Sequence, residues 1–443
     1  MLTGMKYLPL TMCSLLPGCI FFASEPAEPD ETGFTFAETA HTGSATVPIV
    51  SERLLGASKA SLVLPLSDGR RVVSYYQMNE LTLSDGSIRF FEEGERNGVV
   101  VYGADGSMEW FAVGESVIPA AIAGSDDVML AVRPTPPAVT DTGVPVGAVS
   151  VLGLPLVPHQ ISFLRVSPSG QATMVGQIDI DERFGFEVSP SGHMLLHVRE
   201  ATLRLVLLAP DGAPLFDWNI TAHDDGNAFA AASLGPDGAV AISALSSVSF
   251  GPHVRDEPYV HHLLVANPDG SARFWAQRDE CERETDVEWL ADGGLLWAAG
   301  CAVRGSNVVD GQGVIYNILS NDMGKGALSL LHLTADGALL KDGVVPKTPA
   351  LFVTEDSVVA RVYDQGLYED LPTDSDELWV LSYDLATFER TDAVRIATSS
   401  ETVDGTMAVI GAEDDGSVWV GGPFDYGDEP EYQWTEAVRV HLD

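Results

Sequence analysis

Residues able to do chemistry are sparse in this chain, and their spacing suits recognition better than catalysis. "GPHVRDEPYVHH" (251–262) holds the one mixed cluster with acid–base potential: His253, Arg255, Asp256 and His261. A rim salt bridge accounts for the same residue types. "YDQGLYEDLPTDSD" (363–376) carries Tyr363 and Asp364, and "PFDYGDEPEYQW" (423–434) carries Asp425, Tyr426 and Trp434. Tyrosine and tryptophan interleaved with carboxylates suit a sugar, a peptide with cationic groups or a calcium ion. These residues, with His253, Arg255 and Asp256, are the expected binding set. No catalytic residue is assigned.

The sharper motifs are missing. Asp141-Thr142-Gly143 matches the short motif of aspartic proteases, but a second facing copy in a suitable context is lacking. His193 and His197 are four apart on a strand, about 13 Å, too far to share a zinc ion. HExxH, GxSxG and GxxxxGKS do not occur. "HDDGN" and "EDDGS" lack the alternating carboxylates and terminal Glu of an EF-hand loop, so turn chemistry explains them. No cofactor and no specific metal site are expected.

The bulk composition narrows the partners. Of 443 residues, 64 are Asp or Glu and 24 are Lys or Arg, a formal net charge of −40. Such a surface repels phosphate backbones and excludes nucleic acid as a natural partner. Hydrophobic residues make up 45%, ample for a core in a chain this long.

The chain begins with an address. "MKYLPLTMCSLLPGC" joins one lysine to an apolar run too short to span a bilayer, followed by small residues ahead of Cys19. "LPGC" resembles the lipobox of bacterial lipoproteins, although Pro17 departs from the usual small or aliphatic residue. The resemblance implies a signal peptide over 1–18, acylation of Cys19 and an exported protein anchored to the cell envelope. Ile20, rather than Asp, after the cysteine goes in that family with the outer membrane. Residues 19–44 then read as a flexible acidic tether. Cys281 and Cys301 remain in the folded part, and in an exported domain they are expected to pair.

What must position these residues is a repeat. "YGADGSMEW", "LLAPDGAPLFDW", "ANPDGSARFW" and "EWLADGGLLWAAG" share a pattern: an apolar run, a polar Asp-Gly turn and a second apolar run. Asp-Gly tolerates the positive φ angles of tight turns, so each unit reads as a β-hairpin and the chain as all-β. Two hairpin types alternate. The first type turns at Asp68, Asp126, Ser191, Asp237, Asp292, Asp356 and Asp415, which spans 347 residues in six steps, about 58 per repeat. A four-stranded unit of that period is the signature of a propeller blade.

Residues 45–443 are thus similar to bacterial β-propeller repeat proteins with "DGxVYVAG" and "DGxLLW" phrases. Seven first-type but six complete second-type hairpins leave one outer strand missing. The expectation is a seven-bladed β-propeller, six or eight blades fitting less well, closed by residues 44–53 pairing with 437–442. In such meanders the Asp-Gly turns share one face, while the long insertions (77–97, 134–160, 244–260, 301–326, 363–376 and 422–435) share the other. Uniform short turns opposite irregular loops make the long-loop face the expected recognition surface. The function expected is that of a monomeric, non-enzymatic binding scaffold for an envelope or extracellular protein or glycan. The alternative is a glycan-acting hydrolase or lyase with its site at the central funnel, disfavoured by inner strands rich in Ala, Val, Ser and Gly.

Overall fold

A computed structural model describes the chain from residue 50 to residue 441, apart from 56–58, 77–79, 83–86, 91–96, 123, 136–149, 200–201, 223–229, 246, 258–259, 280–284, 301–305, 319–326, 347–350, 355, 364–377, 398–407, 413–416 and 424–434. Among the described residues there are strands and turns and no helix, in a propeller-like arrangement. The repeat is visible in the pairing. Six sheets are antiparallel meanders, each built on four strands that follow one another around the ring. The first holds Lys59–Pro65, Arg71–Tyr76, Asn97–Tyr102 and Met108–Gly114, and the second Ser116–Ala121, Val128–Arg133, Gln160–Val166 and Ala172–Asp179. The third is built on Arg183–Val188, Met194–Arg199, Leu203–Leu208 and Pro214–Ala222, and the fourth on Ala230–Leu234, Val240–Leu245, Val260–Ala266 and Ala272–Asp279. The fifth holds Thr285–Trp289, Leu295–Gly300, Ala327–Leu333 and Leu339–Pro346, and the sixth Leu351–Val353, Ser357–Tyr363, Leu378–Asp384 and Arg390–Ala397.

A further sheet is composite. Ala408–Ala412, Ser417–Pro423 and Thr435–His441 take their fourth strand from the other end of the chain, Val50–Leu55. The register runs from Val50 opposite Val440 to Leu55 opposite Glu436. The expected closure therefore forms, shifted slightly toward the C-terminal side of the 44–53 segment. Residues 44–49 lie outside the described set.

The hydrophobic core is divided among the seams between consecutive sheets, as radial sheets packed face to face require. One cluster joins Val99, Trp110 and Val117 across the first and second sheets, and another joins Ile161, Phe163, Phe184 and Leu196 across the second and third. Leu205, Trp218, Ile242 and Phe250 fill the next seam, then Leu263, Val287 and Trp297, then Leu330, Val358 and Tyr383. Val63, Tyr75, Ile410 and Trp419 join the composite sheet to the first. In the seam between the fourth and fifth sheets, Trp297 Nε1 donates to Ser243 Oγ at 2.8 Å, and Ser243 and Thr285 share a short hydrogen bond.

The Asp-Gly pair has a two-part physical explanation. Leu66 N–H donates to Arg70 O and Gly69 N–H to Leu66 O, closing a three-residue loop whose last member, Gly69, sits at φ +82°. That conformation favours glycine. The aspartate just before it uses a carboxylate oxygen to accept the N–H two residues on, as Asp237 does from Ala239 and Asp269 from Ser271. The same bond recurs at Asp68, Asp105, Asp211 and Asp292. The Ser107 hydroxyl and N–H hold the Asp105 carboxyl below its ordinary range, and Ser271 does the same for Asp269. Part of the acidic excess is therefore turn chemistry.

The long insertions are less irregular than expected. Among the described residues, four of them contain hairpins: Glu80–Thr82 with Ile88–Phe90, Ser150–Val151 with Leu154–Pro155, Val248–Phe250 with His253–Arg255, and Ser306–Val309 with Ile315–Ile318. The third of these adds to the outer edge of the third sheet and the fourth to that of the fourth, so both sheets become six-stranded. Each folds back onto the sheet before its own. Residues that read as a recognition loop are used there to cover a strand edge.

Candidate functional site

The structure does not gather the mixed histidine cluster into one site. His253 lies on the outer flank, where its Nε2 is 3.0 Å from Gly270 O in an Asp-Gly turn and its ring stands edge-on to Trp218 and Trp275 at 5.5 and 6.1 Å. The Arg255 guanidinium covers the Trp275 ring at 4.2 Å. Asp256 is exposed, and its backbone carbonyl accepts from Ser247 Oγ. His261 is fully buried in the neighbouring strand. His253 and Arg255 thus fasten the hairpin through aromatic contacts. Tyr363 ends its strand opposite Leu378, and its side chain is outside the described set. Asp364, Asp425, Tyr426, Trp434, Cys19, Cys281 and Cys301 also lie outside the described residues.

A different constellation forms where the first strands of three successive sheets approach the ring axis. Glu187 projects from the third sheet, and Asp286 and Glu288 from the fifth. Between them runs Ala230–Leu234, whose sequence "AAASL" leaves room for carboxyls on either side. Alternation in the strand Thr285–Trp289 sends Thr285 and Val287 into the seam and leaves Asp286 and Glu288 on the other face, half-buried. Glu187 is fixed twice: Oε2 accepts Leu234 N–H at 2.8 Å, and Oε1 lies 2.7 Å from His197 Nε2. Ser233 Oγ donates to Glu288 Oε2 at 3.3 Å, and Trp289 Nε1 donates to Ser233 O at 3.1 Å. Gly235 permits this arrangement, since a Cβ there would stand 2.7 Å from the Trp289 ring.

The electrostatics follow from crowding. Burial pushes the Asp286 carboxyl up to about 7, the Val287 N–H works against this and the nearby charge of Glu187 adds to it. Glu288 rises well above the ordinary range through burial, then the charges of Asp286 and Glu187, with the Ser233 hydroxyl opposing. Near neutral pH the group has more carboxyls than it can ionise. A cationic group brought among them would take the place of the protons and let them ionise. Such a site can bind an ammonium group or hold a proton in place. Among the described residues, no group of three or more His, Cys, Asp or Glu is placed to hold a metal ion.

Its position is also informative. Glu187, Ser233 and Glu288 pair with Leu195, Ala241 and Leu296, close to the first-type turns. The group therefore lies toward the Asp-Gly face, opposite the one the loop lengths favoured. Sequence reading missed it because its members come from strands about a hundred residues apart. A usable signal was present: "RFGFEV" places one carboxylate and "TDVEW" two in inner strands, where small or apolar residues are the rule.

No family model matches the chain, and no curated protein sequence matches it. Among solved structures, it is similar to the β-propeller domain of Myceliophteria thermophila Cps50 (Swd1), at 7% identity over 88% of this chain and 99% of that one, with a TM-score of 0.45. A eukaryotic initiation factor is similar at 9% identity over 90% and 92%, TM-score 0.39. A protein of unknown function from Bacteroides caccae is similar at 11% identity over 64% and 90%, TM-score 0.32. The strand pairing above, rather than these likenesses, carries the fold.

Proposed function

We propose that this chain is a seven-bladed propeller acting as a binding scaffold, with the composite sheet as its seventh blade, and that it captures a cationic segment of a protein partner at Glu187, Asp286 and Glu288. The observation that carries this reading is the meeting of three carboxyls from two sheets over a strand of small residues, with no lysine or arginine among their contacts within the described residues. A net charge of −40 draws such a partner in, and the inner carboxyls fix it. The lipobox resemblance extends the proposal to location: Cys19 is acylated, residues 19–44 tether the ring to the bacterial envelope, and Cys281 pairs with Cys301. Membrane fractionation of Cys19→Ser and non-reducing peptide mapping test those two points.

Fluorescence anisotropy with a short lysine-rich peptide tests the binding reading. Asp286→Asn together with Glu288→Gln should weaken binding at least tenfold, whereas Asp336→Asn, at an exposed turn, should not. Equal losses would reduce the interaction to general surface charge. A second reading, a glycan-acting enzyme, draws on one observation: two carboxyls with raised pKa values stand beside a Glu187 already fixed by His197, as acid and base pairs do. Turnover of chromogenic glycosides that is lost in Glu288→Gln would favour it over simple binding.

A further inference from the structure

The histidine-rich stretch at 251–262 acquires a role from its position. The hairpin Val248–Phe250 and His253–Arg255 lies on the outer edge of the third sheet, with Ile220 opposite Phe250 and Ala222 opposite Val248. The chain then passes through Asp256 and Glu257 and enters the fourth sheet as Val260–Ala266. At that entry His262 has no exposed surface, and neither ring nitrogen has a hydrogen-bond partner. Two charged groups face it, both from the hairpin and its exit: Glu257, whose Oε2 is 3.9 Å from Nε2, and Arg255. Its neighbours across the flanking strands, Ala244 and Gln277, carry no charge. The third-sheet side chains packed on this seam, Leu205, Trp218 and Ile220 among them, are apolar. His261 and its opposite residue Arg278 point to the other face of the strand, and His253 is engaged at Gly270 O.

We propose that His262 is the proton-operated latch of the hairpin 248–255: the hairpin stays on the edge of the third sheet while the ring is neutral and is released when the ring takes up a proton. An imidazolium in this seam has only the backbone carbonyl and the exposed carboxylate of Glu257 nearby, so its charge is fully solvated only when the segment above it lifts. Burial holds the His262 pKa below the ordinary histidine value, while Glu257 works the other way and Arg255 adds to the depression. A depressed histidine stabilises the closed form above its open-state pKa, and that stability is lost as pH falls. Release would bare the strand edge at Ile220–Ala222 and uncover Phe250 and Trp275, which stack edge-on at 5.4 Å. A buried edge would become one able to accept another strand.

Hydrogen–deuterium exchange on the full chain, corrected for intrinsic rates, tests this. With an open-state imidazole titrating near 6.5, going from about pH 7.5 to about pH 5 multiplies the open population by up to about 30-fold. Amides of 247–257 should lose protection on that scale, and the turn at 66–70 should not. His262→Leu should keep the hairpin protected at both pH values, and His253→Gln should retain the wild-type response. Should His262→Leu fail to fold, Glu257→Gln decides: without the one carboxylate that favours the charged ring, the hairpin should open further at pH 5. Protection that ignores pH, a response abolished in His253→Gln, or an unchanged response in His262→Leu or in Glu257→Gln would overturn the proposal.

Discussion

Asp286→Asn should make the protein more stable at alkaline pH while weakening its binding. The folded state raises the Asp286 carboxyl to about 7, against about 3.9 for a free aspartate. A group raised in this way lends stability that is present below the unfolded value and is lost as pH climbs through the folded one. Three units at ~1.4 kcal/mol each set an upper bound of about 4 kcal/mol for the penalty at pH 8. Because the carboxyl retains some solvent contact, screening lowers this to about 2 kcal/mol. Asparagine cannot ionise and can still accept the Val287 N–H through its side-chain oxygen. Entropies of ~2 cal/mol/K per residue make 1 kcal/mol worth about 1 °C in a chain this long, so a rise of about 2 °C at pH 8 is expected, and almost none at pH 4. Thermal melts of both proteins across that range measure it directly. A variant less stable than wild type at pH 8, or equally shifted at both ends, would refute the reasoning. Stabilisation paired with lost binding is the mark of residues kept for function.

Three further perturbations address the frame around the site. Trp297→Phe removes the donor to Ser243 from a fully buried seam and should cost about 2 kcal/mol in denaturant titration, with a result under 0.5 kcal/mol denying the seam its role. Gly238→Ala should destabilise more than Gly293→Ala: both sit at positive φ, but a Cβ at 238 would stand 2.4 Å from His193 Nδ1 and one at 293 meets nothing within 4 Å. Equal melting shifts would show that φ alone matters. Deleting 50–55 should leave Thr435–His441 as an unpaired edge and cause aggregation visible by light scattering, whereas deleting 23–40 should be nearly silent.

Local chemistry made the frame legible. Asp-Gly marks most of the turns because the aspartate side chain and the glycine backbone each serve the turn, so the turns could be phased and the missing outer strand traced to the segment before the first hairpin. The insertions misled because their strands are short: Val248–Phe250 and His253–Arg255 are three residues each and show no periodicity of their own. His253 and Arg255 carry the residue types of a site, yet Trp218 and Trp275 use them as packing. The carboxyl group at the inner rim needed three sheets in place before Glu187, Asp286 and Glu288 could be seen as neighbours. Composition averaged over the inner strands hid the two in which a carboxylate replaces a small residue.

Zero-length carbodiimide coupling of a bound lysine-rich peptide, mapped by mass spectrometry, tests the central claim most directly, because amide bonds form only where an amine rests against a carboxylate. The account predicts cross-links concentrated on Glu187, Asp286 and Glu288 and lost in Asp286→Asn with Glu288→Gln. Cross-links spread over exposed turn aspartates such as Asp105, Asp211 and Asp336 in proportion to their exposure, with none at the inner rim, would contradict it.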